Sequence, residues 1–303
     1  MKYTNDTLPG SPLPPGLYVV GTPIGNMGDM TARAREYLAR SHRIACEDTR
    51  VSGSLLKRLG LSGTLVPYHD HNADAQRPRI LEWIRAGEAV ALVSDAGMPL
   101  ISDPGYKLVR DCREAGLYVT TAPGPSAVLT ALALSGLPTD RFHFAGFPPT
   151  GGGKLARFCE ELAGVPGTLV LFEGVSRLDR TFEALAVALG GQRQAALCRE
   201  LTKLHEEVRR GTLEELAAFY REAGAPRGEA VIVVAPAEKG DGPDADTVDA
   251  LLGAELAAGR SVRDAAAEVA GKTGQPRRAL YQRALELERG DSDGDSDRTD
   301  PAR

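Results

Sequence analysis

Five times between residues 16 and 136 the chain runs through the same unit: a short apolar β-branched stretch, a loop of glycine and polar residues, then a segment of helical periodicity. The apolar stretches are Gly16–Val20, Arg43–Glu47, Leu65–Tyr68, Ala89–Val93 and Leu117–Thr120. Buried strands that alternate with helices of about 10–15 residues specify a parallel sheet joined by right-handed crossovers. Every loop that follows a strand then emerges at the same sheet edge, where open α/β sheets bind ligands. Gly136-Leu137-Pro138 interrupts the pattern, and a second α/β domain follows, with strands near 142–145, 168–172, 194–198, 206–209 and 230–235. The expected organisation is a flexible arm (1–15), an N-terminal α/β domain (16–136), a C-terminal α/β domain (137–236) and a linker (237–247). A helical module (248–289) and a disordered acidic tail (290–303) complete it.

The chain has 303 residues, enough for about two domains, and a net charge of −5. Any nucleic-acid partner must therefore be met by a local basic face. Residues 1–15 lack the basic and apolar blocks of a secretory signal, and no apolar run is long enough to span a membrane. Cys46, Cys112, Cys159 and Cys198 are scattered without a CxxC pair, which points to reduced thiols in a cytoplasmic protein. Neither GxGxxG nor a P-loop lysine is present, so the loops are not phosphate cradles for a dinucleotide or nucleoside triphosphate.

The loops themselves carry the candidate chemistry. Ser94 to Gly105, with Asp95 and Asp103 between two glycines, reads as a pocket loop. Gly21-Thr22-Pro23-Ile24-Gly25-Asn26 presents backbone groups at the same edge. Glu47-Asp48-Thr49-Arg50 supplies either a carboxylate for a substrate hydroxyl or a capped helix start with a paired arginine. His69-Asp70-His71-Asn72 suits polar substrate contact or a capped turn; with no third ligand at sensible spacing, no metal is expected. In the second domain Glu173…Arg177 and Glu200…Lys203 each place an acid and a base after a strand. Arg260, Arg263, Lys272, Arg277, Arg278 and Arg283 gather in the final helices, in a pattern like a helix-turn-helix, against an acidic background.

Taken together and in this order, residues 21–26, 47–50, 69–72, 94–105, 123–126 and 200–203 resemble the ribosomal RNA small subunit methyltransferase I family of the tetrapyrrole-methylase superfamily. The resemblance covers about residues 16–288; Ser176 departs from it, where relatives often carry histidine. It implies two α/β domains of the tetrapyrrole-methylase type with a small C-terminal helical module, S-adenosyl-L-methionine in the cleft between the domains, and a homodimer. It further implies 2′-O-methylation of a cytidine in the decoding region of 16S rRNA, with the small ribosomal subunit as the expected partner. Under it Pro23, Ser94, Asp95, Ala96, Leu100, Ile101, Thr121, Ala122, Leu201 and Ala230 line the cofactor. Glu47, Asp48, Asp95 and Glu173 are the unranked candidates for taking the hydroxyl proton. Arg50, His69, His71, Arg177, Lys203, Arg277 and Arg278 are the candidate RNA contacts. The competing reading is a porphyrin- or corrin-ring methyltransferase, which the basic terminal module disfavours. A non-catalytic RNA-binding protein would show no affinity for the cofactor.

Overall fold

The computed structural model describes residues 12–237, 245–273 and 277–293. The first sheet consists of β1 (Gly16–Val20), β2 (Arg43–Cys46), β3 (Leu65–Pro67), β4 (Ala89–Val93) and β5 (Val119–Ala122), in the order β3-β2-β4-β1-β5. All of its pairings are parallel. Its strands read as continuous apolar runs because both faces are covered. Alternate residues go to opposite sides: Tyr18, Val20, Ala91 and Val93 pack under α1 (Ala32–Arg40) and α2 (Thr49–Arg58). Leu17, Val90 and Leu92 pack under α3 (Ala73–Arg85) and α4 (Tyr106–Glu114). The connection leaving β1 thus runs along one face and that leaving β4 along the other. These two strands are neighbours, so the chain opens a crevice at their carboxyl ends, the switch point of an open α/β sheet.

The second sheet is β6 (Phe142–Phe144), β7 (Thr168–Gly174), β8 (Gln194–Arg199), β9 (Glu207–Thr212) and β10 (Glu229–Val234), in the order β6-β7-β10-β8-β9. Only β6 and β7 run parallel; the other pairs are antiparallel. One face packs on α6 (Gly152–Ala163), α7 (Leu178–Leu189) and α8 (Leu213–Ala223) through Leu169, Leu171, Ile232 and Val234. The other face, with Val170, Cys198, Val231 and Val233, is covered by α5 (Ala127–Ser135).

That packing departs from the expected division at residue 136. α5 follows β5 in the chain, yet Val128, Ala131 and Leu132 bury against the second sheet, so the two sheets form one compact unit through residue 236. The arm also ends earlier than expected. Leu13 is buried in the first core and the Tyr18 hydroxyl donates to the Pro14 carbonyl at 2.7 Å, while residues 1–11 lie outside the described residues.

The second unit contains α9 (Ala245–Ala257), α10 (Val262–Thr273) and α11 (Arg277–Asp293), closed around Val248, Leu252, Ala266, Val269, Leu280 and Ala284. α9 starts inside the expected linker, and α11 runs on into the segment expected to be disordered. The rest of that tail, 294–303, and linker residues 238–244 lie outside the described residues. No helix among the described residues is long and apolar enough to cross a membrane.

Candidate active site

The loops after β1 and β4 leave the sheet on opposite faces but are stitched together at once. Thr22 and Gly97 exchange backbone hydrogen bonds of 2.9 and 3.1 Å. Gly21 lies against Gly124 of the β5 loop so closely that a Cβ on either would sit under 3 Å from the other's backbone. Ser94 donates to the Ala96 carbonyl at 3.2 Å, and Leu100 (φ 75°) and Ser102 (φ 63°) hold left-handed conformations that bulky residues rarely adopt. The β4 loop is therefore a shaped wall, held by its own hydrogen bonds and by its neighbours.

The second sheet supplies the facing wall. Because β10 runs antiparallel between β7 and β8, its first residues lie beside the last residues of both: Ala230 pairs with Glu173 and with Arg199. The Glu173, Glu200–Lys203 and Gly228–Val231 segments are thus brought to one end of that sheet. Between the walls is a cavity of about 370 Å³, with Asp95–Met98 and Ile101–Asp103 on one side and Phe172–Gly174, Leu201 and Gly228–Val231 on the other. Phe147 stands over it, its ring 5.3 Å from that of Phe172. A broader groove of about 610 Å³, between the β1 loop and α2, shares Asp95 with this cavity.

The cavity lining contains no lysine, arginine or histidine but four acids, Asp95, Asp103, Glu173 and Glu229. These acids are not equivalent. Glu173 is buried, and its carboxylate is ion-paired with Arg177 while accepting from the Thr181 hydroxyl and from the Gly174 amide at 2.7 Å. Its lone pairs are occupied. Burial, together with the charges of Glu47, Asp95 and Asp70, pushes Asp103 up to about 6. Glu47 is raised from the ordinary range by burial and by Asp95 and Asp70. Asp48 is lowered to about 2, chiefly by its hydrogen bonds with Arg50, and caps α2. Asp95 accepts from the Asp48 backbone amide at 3.2 Å and is exposed where cavity and groove meet. Cys198 also reaches the cavity, but burial pushes its thiol up to about 12, so it is no nucleophile at neutral pH.

Of the residues expected around the cofactor, Asp95, Ala96, Ile101, Leu201 and Ala230 line the cavity. Pro23 lines the groove instead. Ser94 is buried beneath the wall, Leu100 packs into the first domain's core, Ala122 is fully buried there, and Thr121 donates to the Val19 carbonyl at 2.9 Å. Glu229 and Val231, flanking Ala230 on the expected strand, also line the cavity, whereas Met98, Asp103, Ser126, Phe147 and Phe172 were not expected around the cofactor. Asp103 and Ser126 lay inside motifs already singled out; Phe147 carried no sequence signal.

Among the expected RNA contacts, Arg50 lines the groove with its side chain 90 % exposed. Lys203 is held by Glu200 and Glu229 at 2.8 Å each, its stem against Gly25, and so ties the β1 loop to the second sheet. Arg177 is held by Glu173 and donates to the Pro148 carbonyl at 3.3 Å. His69 and His71 stack edge-on at 6.0 Å, beyond the end of β3, and neither lines the cavity or the groove. Arg277 and Arg278 are exposed on the first turn of α11. No group of three or more His, Cys, Asp or Glu among the described residues is arranged to hold a metal ion.

Comparison with known proteins agrees with this architecture. Residues 16–217 match the family model for tetrapyrrole (corrin/porphyrin) methylases, and residues 241–288 match that for the RsmI C-terminal helix-turn-helix domain. The chain is 49 % identical over 290 residues to ribosomal RNA small subunit methyltransferase I of Mesorhizobium japonicum, covering 95 % of this chain and 97 % of the relative. To that of Escherichia coli O157:H7 it is 43 % identical over 274 residues, covering 89 % and 94 %. Among solved structures, diphthine synthase superposes with a TM-score of 0.55 at 15 % identity, covering 72 % of this chain and 89 % of the other, a likeness of fold. Uroporphyrin-III C-methyltransferase of Thermus thermophilus, complexed with S-adenosylhomocysteine, does so with a TM-score of 0.50 at 25 % identity, covering 73 % and 97 %. Sequence and fold together show that the chain belongs to the ribosomal RNA small subunit methyltransferase I family, built on the tetrapyrrole methylase fold.

Proposed function

We propose that this protein is an S-adenosylmethionine-dependent methyltransferase that modifies the ribose 2′-hydroxyl of a cytidine in the decoding region of 16S rRNA. The observation that carries the cofactor reading is the cavity lining: four carboxylates, apolar walls and no basic side chain. Such a lining repels phosphate and favours a cationic ligand. S-adenosylmethionine, when bound, supplies an electrophilic methyl group on a positively charged sulfur. Asp95, Ala96, Ile101, Leu201 and Ala230 would hold it, with Phe147 and Phe172 excluding water.

The chain's own contribution is to place and deprotonate the acceptor. A ribose hydroxyl sheds its proton as its oxygen becomes an ether, and a carboxylate within reach assists. Of the four acids considered from sequence, Glu173 and Asp48 are committed to arginines and Glu47 lines neither cavity nor groove, whereas Asp95 faces both. Asp95 is therefore assigned to orient the hydroxyl and receive its proton, and fixing the two reactants side by side supplies much of the rate. A single cytidine reaches such a cleft only when unstacked from its neighbours. Arg277 and Arg278 on the terminal module add phosphate contacts, and the assembled small subunit is the expected substrate, in the cytoplasm. The homodimer rests on the family and is read by light scattering.

The test is incubation with methyl-labelled S-adenosylmethionine and small ribosomal subunits from a strain lacking the activity, followed by primer-extension mapping. One 2′-O-methylated cytidine in the decoding region is expected. Label on a porphyrinogen and none on RNA would overturn the reading, as would calorimetry showing no affinity for S-adenosylmethionine or S-adenosylhomocysteine.

A further inference from the structure

The groove between the β1 loop and α2 lies beside the cofactor cavity and ends on the same aspartate, Asp95, that lines both. On α2, Arg50, Ser54 and Arg58 recur every four residues and form one ridge along the groove. Beside it Val51, Leu55 and Met27 make an apolar floor, with Val51 42 % exposed. Arg58 is exposed, and among the described residues it makes no hydrogen bond or ion pair, while Arg50 is held there only by its near neighbour Asp48. The guanidinium-bearing residues are about 12 Å apart along the helix axis, from a rise of about 1.5 Å per residue. That span is about two backbone steps of an extended strand, so it reaches from one phosphate to the next but one. The volume of about 610 Å³ is within the range of sites for small ligands.

We propose that this groove seats the two nucleotides next to the methylated cytidine, a base against Val51, Leu55 and Met27 and the phosphates that bracket the pair on Arg50 and Arg58. The inference rests on the rRNA reading above. Two features favour a nucleic-acid strand as occupant. Cations line this rim on a chain of net charge −5, and the groove leads directly to Asp95, so a strand lying in it delivers the neighbouring ribose to the cavity. Arg58 thereby becomes a positioning residue for RNA, acting at a distance from the reacting atoms.

The test uses the full-length protein and two surface substitutions, Arg58→Gln and Ser54→Glu, assayed on unmethylated small ribosomal subunits at saturating S-adenosylmethionine. Each is expected to raise KM for the subunit by roughly 5–10-fold with kcat changed less than about twofold, because weakening the grip on a phosphate reduces binding without touching the chemistry. Cofactor affinity by calorimetry should stay the same. For Arg58→Gln, the slope of log Kd against log salt should fall by about 0.7, the value of one neutralised phosphate on a single strand. Unchanged KM and salt slope in both variants would overturn the assignment, as would a fall in kcat at constant KM. If the unaltered protein transfers no methyl group to RNA, the rRNA reading itself falls and the groove assignment with it.

Discussion

The backbone amide of Asp48 donates to the carboxylate of Asp95 across 3.2 Å, joining the loops that leave two neighbouring strands, β2 and β4. Asp48 turns its own carboxylate the other way, onto Arg50. One acid is spent on capping α2, and the other is aimed by it toward the meeting point of cavity and groove.

Asp95→Asn keeps an acceptor for that amide and removes the negative charge. Methyl transfer at saturating S-adenosylmethionine should fall by about 10²–10⁴-fold, the usual worth of a general base, a loss beyond the weaker cofactor binding that follows from removing one of the cavity's carboxylates. Single-turnover kinetics with calorimetry reads both; near-normal transfer would remove the assignment of Asp95.

Glu173 behaves as a buried clamp. Glu173→Ala strands the Arg177 guanidinium and should cost about 3 kcal/mol of stability, as breaking one side of a buried pair does. Urea unfolding at neutral pH measures it, and a loss below about 1 kcal/mol would show that the clamp contributes little.

Asp103 makes stability depend on pH in a direction opposite to that of a salt-bridged acid. Its group is raised from an ordinary 3.8 to about 6, so between those values the folded chain holds a proton the unfolded chain has lost. Its contribution to stability therefore declines as pH rises through that window and is lowest above about 6. Asp103→Asn should gain about 1–2 kcal/mol relative to the parent between pH 4 and pH 7, after allowance for solvent screening. Equal differences at the two pH values would contradict this.

The close approach of Gly21 and Gly124 leaves no room for a methyl group, since the Cβ of Gly124→Ala would lie 2.9 Å from the Gly21 Cα. Separating the two strand ends should cost about 1–3 kcal/mol and widen the cavity. Thermal denaturation and cofactor titration would report it, and a neutral outcome in both would mean that the loops are more pliable than their packing suggests.

On the terminal module Arg260 is tied to Glu255 and Glu268, and Arg283 to Asp249 and Glu286. Arg277 and Arg278 make no ion pair with any described residue. Arg277→Gln with Arg278→Gln should weaken subunit binding and lower the salt slope by about 0.7 for each phosphate that is no longer neutralised. Cofactor affinity should be unaffected; an unaltered salt slope would show that this turn does not meet RNA.

The parallel sheet, its switch-point loops and the family could be read from residues in sequence, because a buried strand, its glycine loop and the following helix are consecutive in the chain. The resemblance carried by those loops offered Asp95, Ala96, Ile101, Leu201 and Ala230, which the structure places on the cavity wall. Four features depended on packing between distant segments. The antiparallel insertion of β10 brings Ala230 beside Glu173 and Arg199. The burial of α5 against the second sheet moves the expected domain boundary. Phe147 is brought to the cavity from a loop with no motif. Finally, charge pairing commits Lys203 and Arg177 to carboxylates of their own chain, where sequence alone offered them as free cations for RNA. A side chain's type is written in the chain, but the partner that satisfies it, and so whether it is left for a ligand, is set only when the tertiary structure brings that partner within hydrogen-bonding distance.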